Sequence, residues 1–448
     1  MKLLDGASPT HALAQWAVES KWTDVDAATR SSAASSWMNW FACALGGAGD
    51  PALDRLLLAL APFGRGDAPL IGRAEKFDPA TIALLHAFAS NILDYDDTHW
   101  PTGIHPAGTV ASALVAWASQ TVVSGEDFLH AFLLGMEVEC RIGLAVSPGH
   151  YERGWHITAT CGVLGAAVAV GRLMRLSPQE MAWAMGHAAT QSGGLVASLG
   201  TMAKSLNIAH AARNGLVAAQ LARHGITAND RVLEARFGFS EVMGSRPLDA
   251  GLCEGLGQHW VATQNTFKPY PCGFLLHPTL DACLGMADDP IHAGDEIEHI
   301  TVTVHPLSQI RADRLHPADG LESKLSLQHA VAMAITRGQA GVRAFTDAAV
   351  NDVLVRNCRQ KVKIVADERL STEEARVVIH LQSGRLITRE ILGAQAPMTS
   401  EALARKFREL AAWGAPHCHA DELLEALGRF PQMANVAELI AMTVPQSR

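Results

Sequence analysis

The chain has 448 residues, of which 48% are apolar and only 18% charged, with a net charge of −9. That length exceeds a usual single domain and predicts two buried cores. An acidic balance without a basic stripe excludes nucleic acid as a partner, yet still allows an anionic small molecule in a locally positive pocket. The eight cysteines, at 43, 140, 161, 253, 272, 283, 358 and 418, form no C-x-x-C pair, which is reduced cytosolic usage rather than a disulfide frame. The start, M-K-L-L-D-G, lacks the apolar core of a signal peptide, and the longest apolar run, near Cys161 to Val170, is too short to span a bilayer. The expectation is a soluble cytoplasmic protein with no membrane partner.

In chain order, residues from about Pro9 to Leu60 predict two amphipathic helices. Ala12, Leu13, Trp16 and Ala17 face inward on the first, and Trp37, Phe41 and Leu45 on the second, which is expected to stop at Gly46-Gly47. Asp78-Pro79 caps a third helix with Ile82, Leu84, Leu85, Phe88 and Ile92 at helical spacing. It runs into a polar stretch, Asn91 to Gly108, that holds Asp94, Asp96, Asp97, Thr98, His99 and His105 and is broken by Pro101, Gly103 and Pro106. Helices over 107–117 and 126–146 follow. A loop, S-P-G-H-Y-E-R-G-W-H, leads to an all-apolar, small-residue segment that predicts a central helix packed on several sides. Ser177-Pro178-Gln179-Glu180 is a capping box for a helix to about Thr190. Residues 200–204 read as a loop and 209–224 as the next helix, with no strand pattern before residue 290.

The character changes at Phe267-Lys268-Pro269-Tyr270-Pro271-Cys272-Gly273. Beyond it, 300–304 and 362–365 alternate like strands, 375–381 and 385–392 read as a hairpin turning at Ser383-Gly384, and a helix is expected over 326–337. After Gln395 the helical pattern returns, over 399–413 and 420–427. The fold class expected is mainly α: a large all-helical domain formed by both chain ends, 1–266 and 396–448, with a smaller α+β domain, 267–395, inserted.

A carboxylate run between two apolar helices needs partners, so it is paired, metal-bound or catalytic. Asp94, Asp96 and Asp97 with His99 offer metal-type ligands, but a helix end gives poor multidentate geometry, and His417-Cys418-His419 lacks a second ligand pair. No G-x-x-x-x-G-K-[ST], no G-x-G-x-x-G after a strand and no G-x-S-x-G elbow occurs. The expectation is no metal and no cofactor. Further polar segments lie at Gly149 to His156, at Gly200 to Asn207 with Lys204, at Lys268 to Cys272 with His277, and at Glu322 to His329.

Five of these segments, in order, resemble the MmgE/PrpD family, which includes 2-methylcitrate dehydratases, cis-aconitate decarboxylases and iminodisuccinate epimerases. They are D-Y-D-D-T with H-P-A-G (94–108), G-H-Y with G-W-H-I-T-A-T-C-G-V-L-G-A-A (149–167), G-T-M-A-K with A-A-R-N-G (200–215), F-K-P-Y-P-C (267–272) with His277, and E-S-K-L-S-L-Q-H-A-V-A (322–332). The resemblance implies a helical domain built from both ends, an inserted α+β domain, a cleft between them, paired subunits in a homodimer, no cofactor, and a di- or tricarboxylate substrate. Matched residue by residue, the family's active-site positions fall at Asp94, Thr98, His105, His156, Lys204 and Lys268. Two departures stand out: the spacing from Thr98 to His105 is one residue longer than in the decarboxylases, and His329 aligns with a tyrosine of those enzymes.

Taking a proton from a carbon next to a carboxylate needs a base, and cations to hold the charge that builds on oxygen. His105 is the candidate base with Asp94 orienting its ring. Lys204 and Lys268 are carboxylate clamps, Thr98 and His277 bind substrate, and His156 or His329 supplies a proton. The first expectation is a hydro-lyase of the 2-methylcitrate dehydratase kind. The alternatives are an epimerase of a substituted succinate, a decarboxylase of a cis-aconitate-like acid, and a non-catalytic carboxylate-binding protein.

Overall fold

A computed structural model describes residues 8–244, 248, 250–286, 296–393 and 396–445. The chain is mainly helical and divides into two compact units, one of Met1–Ile92, Asp96–Phe267 and Thr399–Arg448, the other of Leu93–Tyr95 and Lys268–Met398. The crossing expected at Gln395 lies outside the described residues. No helix among them is long and apolar enough to cross a membrane. None of the eight cysteines is in a disulfide.

The first unit begins with α1 (Pro9–Glu19), α2 (Ala27–Ala48) and α3 (Pro51–Leu60), each started by a side-chain cap from Ser8, Asp26 or Asp50. Strands β1 (Ala68–Pro69) and β2 (Lys76–Phe77) pair briefly before α4 (Pro79–Ile92). Strand β3 (Asp97–His99) leads to α5 (Pro106–Ala118), α6 (Gly125–Val146), the short α7 (Gly149–Glu152), α8 (Ile157–Leu173), α9 (Pro178–Thr190), α10 (Ala203–Arg223) and α11 (Phe239–Met243). Strand β4 (Asn265–Phe267) pairs antiparallel with β3, Asp97 opposite Phe267. The predicted capping box forms in full at α9, with Ser177 and Glu180 each bonding the other's backbone.

Helix α8 sits among α5, α6, α9 and α10. Its small residues explain the closeness: a Cβ at Gly165 would lie 2.7 Å from the Gly135 carbonyl oxygen, and one at Gly162 would lie 2.6 Å from the Thr109 methyl. A buried ion pair, Glu137 to Arg141 at 2.6 Å, pins the segment before β4 onto α6. Arg141 donates to the carbonyls of Leu252, Glu254 and His259, and Glu137 accepts from Ala262 N–H.

Three expectations change here. Helix α2 does not stop at Gly46-Gly47 but runs to Ala48, because these glycines serve packing rather than capping. A Cβ at Gly47 would lie 1.9 Å from the Ala89 carbonyl oxygen, and Gly414 packs onto the carbonyls of Leu45 and Gly46. Helix α10 starts at Ala203, not Ala209, since the Thr201 hydroxyl accepts from Ala203 N–H and nothing from there on breaks the helix; Lys204 is therefore helical. Strands do occur before residue 290, but they are two or three residues long, too short for an alternating pattern.

The second unit opens with α12 (His277–Leu284), and β5 (Ile297–Val304) follows. A crossover of short helices, α13 (Pro306–Ala312), α14 (Gly320–Ser323), α15 (Leu327–Arg337), α16 (Asp347–Asn351) and α17 (Val353–Arg359), returns the chain to β6 (Val362–Ala366), parallel to β5. The hairpin β7 (Ala375–Leu381) and β8 (Leu386–Ile391) completes a sheet of order β6-β5-β7-β8, its turn at Gly384 with φ 84°. Ile300, Val302, Val377 and Ile379 on one face share a core with Leu280, Leu327 and Val331 of the helices. The tail returns to the first unit as α18 (Ser400–Gly414), packed on α2, then α19 (Ala420–Gly428) and α20 (Ala437–Ala441).

Candidate active site

In the first unit the polar stretch after α4 folds into β3 and the turn that starts α5. His105 is the N-cap residue of α5 and His156 the N-cap of α8. The two starts are tied together, because His105 N–H donates to the Thr158 hydroxyl in the first turn of α8 at 3.2 Å. Helix N-termini carry partial positive charge, so two packed helices that begin here make the region favourable for carboxylates.

The ring of His105 has a defined tautomer. Its Nδ1 lies 2.5 Å from the main-chain carbonyl oxygen of Asp97, which only accepts, so Nδ1 carries the proton and the neutral ring has its lone pair on Nε2. The Thr98 hydroxyl lies 3.2 Å from the same nitrogen, and an Asp96 carboxylate oxygen 3.8 Å away would stabilise an imidazolium. Asp96 is held in turn: Asn91 at the end of α4 donates to it at 2.6 Å, and Ser205, next to Lys204 on α10, donates to Asn91 at 2.8 Å.

His156 has the opposite tautomer. The Asn207 amide nitrogen donates to the Leu195 carbonyl, which fixes which way the amide points, and the same nitrogen lies 3.4 Å from His156 Nδ1. Nδ1 therefore accepts and Nε2 bears the hydrogen. Lys204, half-buried one turn before Asn207, is in the first turn of α10.

Two carboxyls lie behind these groups. Asp97 is fully buried; burial first and the neighbouring Asp96 second push its carboxyl up to about 7, against hydrogen bonds from Asn265 and Ala107 N–H and the charge of Lys406. Glu139 on α6 is raised well above the carboxylate range by burial and by Asp97, although Thr109 donates to it at 3.1 Å. His99 has both ring nitrogens engaged, with the Thr102 hydroxyl at 2.8 Å and the Val261 carbonyl at 3.1 Å. Burial lowers it to about 4, so the ring is neutral and its two nitrogens tie the turn after β3 to the segment before β4.

In the second unit Asp94, with φ 54°, pairs with Lys268: Nζ donates to the carboxylate at 2.8 Å and to the Asp94 carbonyl at 3.2 Å, and Lys268 is only 4% exposed. The Tyr95 hydroxyl donates to the Pro269 carbonyl at 2.8 Å, so 93–95 and 268–269 are stitched together. His277 starts α12, its ring edge-on to Tyr270 and Nε2 3.3 Å from the Cys272 carbonyl; it shapes the proline-rich link. His329 is 0% exposed and burial lowers it to about 4; its Nε2 donates to the Ala344 carbonyl at 2.7 Å, so that nitrogen anchors the 342–345 turn, while Nδ1 has no hydrogen-bond partner among the described residues.

The residues that sequence reasoning passed over are Asn207, beside the His156 ring, Thr158, which accepts from His105 N–H, Asn91 and Ser205, which hold Asp96, and Lys324, a buried lysine whose charge, like that of Lys268, bears on Cys272. Thr158, Ser205, Asn207 and Lys324 lay inside the quoted motifs; only geometry distinguishes them from their neighbours.

Comparison with known proteins gives the family. The MmgE/PrpD N-terminal domain matches residues 11–249 and the MmgE/PrpD C-terminal domain residues 270–428. The chain is 26% identical to a cis-aconitate decarboxylase-like protein, oryM, of Aspergillus oryzae over 97% of this chain and 96% of that one. It is 26% identical to a cis-aconitate decarboxylase of Aspergillus terreus over 97% and 95%, and 27% identical to that of Mus musculus over 75% and 73%. With both of its domains matched in order, the chain belongs to the MmgE/PrpD family.

Proposed function

We propose that the protein is a cofactor-independent lyase of a di- or tricarboxylic acid, acting at a carbon next to a carboxylate, with loss of water as its first reading. The observation that carries this is the opposed tautomers of two histidines at neighbouring helix starts: His105 offers a lone pair at Nε2, His156 a hydrogen. His105 Nε2 takes the proton from the carbon, and the electron pair moves onto the adjoining carboxylate, where the Lys204 ammonium and the helix starts hold the charge. Collapse expels the hydroxyl on the next carbon. His156 hydrogen-bonds that departing oxygen, which leaves as water with the proton His105 had taken up. Thr98 binds substrate by its hydroxyl.

A second reading has support in the relatives named as cis-aconitate decarboxylases. There His105 enters as the imidazolium, having taken a proton from water; the bond to a carboxylate breaks, carbon dioxide leaves, the electron pair is held in the same way, and His105 gives its proton to carbon. Incubation with citrate-, malate-, aconitate- and iminodisuccinate-like acids separates the outcomes. Gain of ultraviolet absorbance without gas supports the hydro-lyase, released carbon dioxide supports the decarboxylase, and inversion in D₂O without either indicates an epimerase. Binding without turnover of any acid would overturn the enzyme reading.

A further inference from the structure

Asp97 is a stronger presence around His105 than its silence in the mechanism suggests. Its main-chain carbonyl takes the His105 Nδ1 hydrogen. Its carboxyl oxygen Oδ2 accepts from Ala107 N–H in the first turn of α5 at 3.2 Å and from the Asn265 amide on β4 at 2.6 Å; Oδ1 has no hydrogen-bond partner among the described residues. One side chain thus joins β3, β4 and the start of the helix that His105 caps. The charged and titratable groups that face it are Asp96 on the same segment, Lys406 of α18, and Glu139 and the Cys140 thiol of α6, with the Asn265 amide beside them. Lys406 is itself buried, donating to Asn39 at 2.7 Å.

We propose that Asp97 is a positioning residue for proton transfer: its carbonyl fixes the His105 tautomer, while its buried carboxyl grips the first turn of α5 and sets the charge beside the imidazole. This rests on the reading of His105 as the group that moves the proton. An ionised Asp97 favours the imidazolium that forms when His105 takes a proton, and a neutral one does not. Burial and the neighbouring Asp96 push its carboxyl up to about 7, and burial keeps Glu139 protonated, which avoids a further buried negative charge.

Asp97→Asn is the test. Both bonds the carboxyl accepts end on Oδ2, so an amide oxygen in that place keeps them, and the NH₂ group takes the unpartnered Oδ1 position. His105 is followed in ¹⁵N-histidine-labelled protein and assigned by the signal missing in His105→Gln. The expected result is a His105 titration midpoint lowered by about one pH unit, with kcat down about tenfold, KM within about twofold, and the Nδ1–H tautomer retained. Asn265→Ala, which removes one bond to the carboxylate, should move the midpoint the same way by less. A midpoint that stays put in both variants, or a moved midpoint with unchanged kcat, overturns the proposal. If the wild type turns over no acid, the proposed function fails on its own, while the midpoint still decides what Asp97 does to His105.

Discussion

At the scale of single residues, two imidazoles of the same chemistry are made different by what each ring's Nδ1 meets. A carbonyl opposite Nδ1 makes His105 a base, and an amide nitrogen opposite Nδ1 makes His156 a donor. Under the proposed function His105 is then the base and His156 a hydrogen-bond donor to the departing oxygen, a choice the sequence left open. It predicts that Asn207→Ala, which releases the His156 tautomer, lowers kcat about tenfold with KM within about twofold, less than the roughly 10²- to 10⁴-fold carried by a general acid–base group, because the ring itself remains. Steady-state kinetics on the turned-over acid check this; unchanged kcat would mean that His156 takes no part. What was legible from sequence at this scale was the motif membership of His105, His156, Lys204 and Lys268. The orientation of rings was not, because it depends on backbone groups such as the Asp97 and Leu195 carbonyls that every residue carries. The same holds for His329: only the fold shows that its Nε2 donates to the Ala344 carbonyl.

At the scale of elements, proline and side-chain caps announced helix starts well, and the box at Ser177 formed as expected. Stops and interior glycines were harder to read, since a glycine that ends a helix and one that lets another backbone approach look alike in sequence. Gly47 is of the second kind, and α2 and α4 touch there. Gly47→Ala is expected to destabilise the protein by about 1–3 kcal/mol, the usual cost of overpacking. Urea denaturation would show it as a lower midpoint with unchanged slope; no loss would mean that the two helices separate without strain. The short pairing of β3 with β4 escaped the sequence because three residues cannot display a period. It nevertheless fixes Asp97 opposite Phe267 and so brings Asn265 to the carboxyl.

At the scale of the whole molecule, buried titratable groups make stability depend on pH in opposing ways. Burial lowers His86 to about 3, so below its ordinary 6.5 the unfolded chain takes up a proton that the folded ring refuses. That contribution is present near neutrality and is lost as pH falls from about 6.5 towards 3. Asp97 works the other way: folded, it keeps its proton to about 7, so between 3.8 and 7 the folded state binds more protons and stability declines as pH rises. His86→Gln should therefore be less acid-sensitive than the wild type, by about 2 kcal/mol between pH 6.5 and 5, and Asp97→Asn should be more acid-sensitive than the wild type. Urea midpoints across that range test both signs; parallel curves would refute them. The homodimer implied by the family resemblance belongs to the proposal, and sedimentation at about twice the 47.7 kDa of one chain is the expected result.

The most direct measurement follows deuterium at the carbon beside the carboxylate. The acid that wild type turns over is incubated in D₂O with wild type and with His105→Gln, and read by proton NMR. The account predicts that wild type moves hydrogen at that carbon while His105→Gln is slower by roughly 10²- to 10⁴-fold, with a melting temperature within about 3 °C. Hydrogen transfer at the wild-type rate in a folded His105→Gln protein would contradict it.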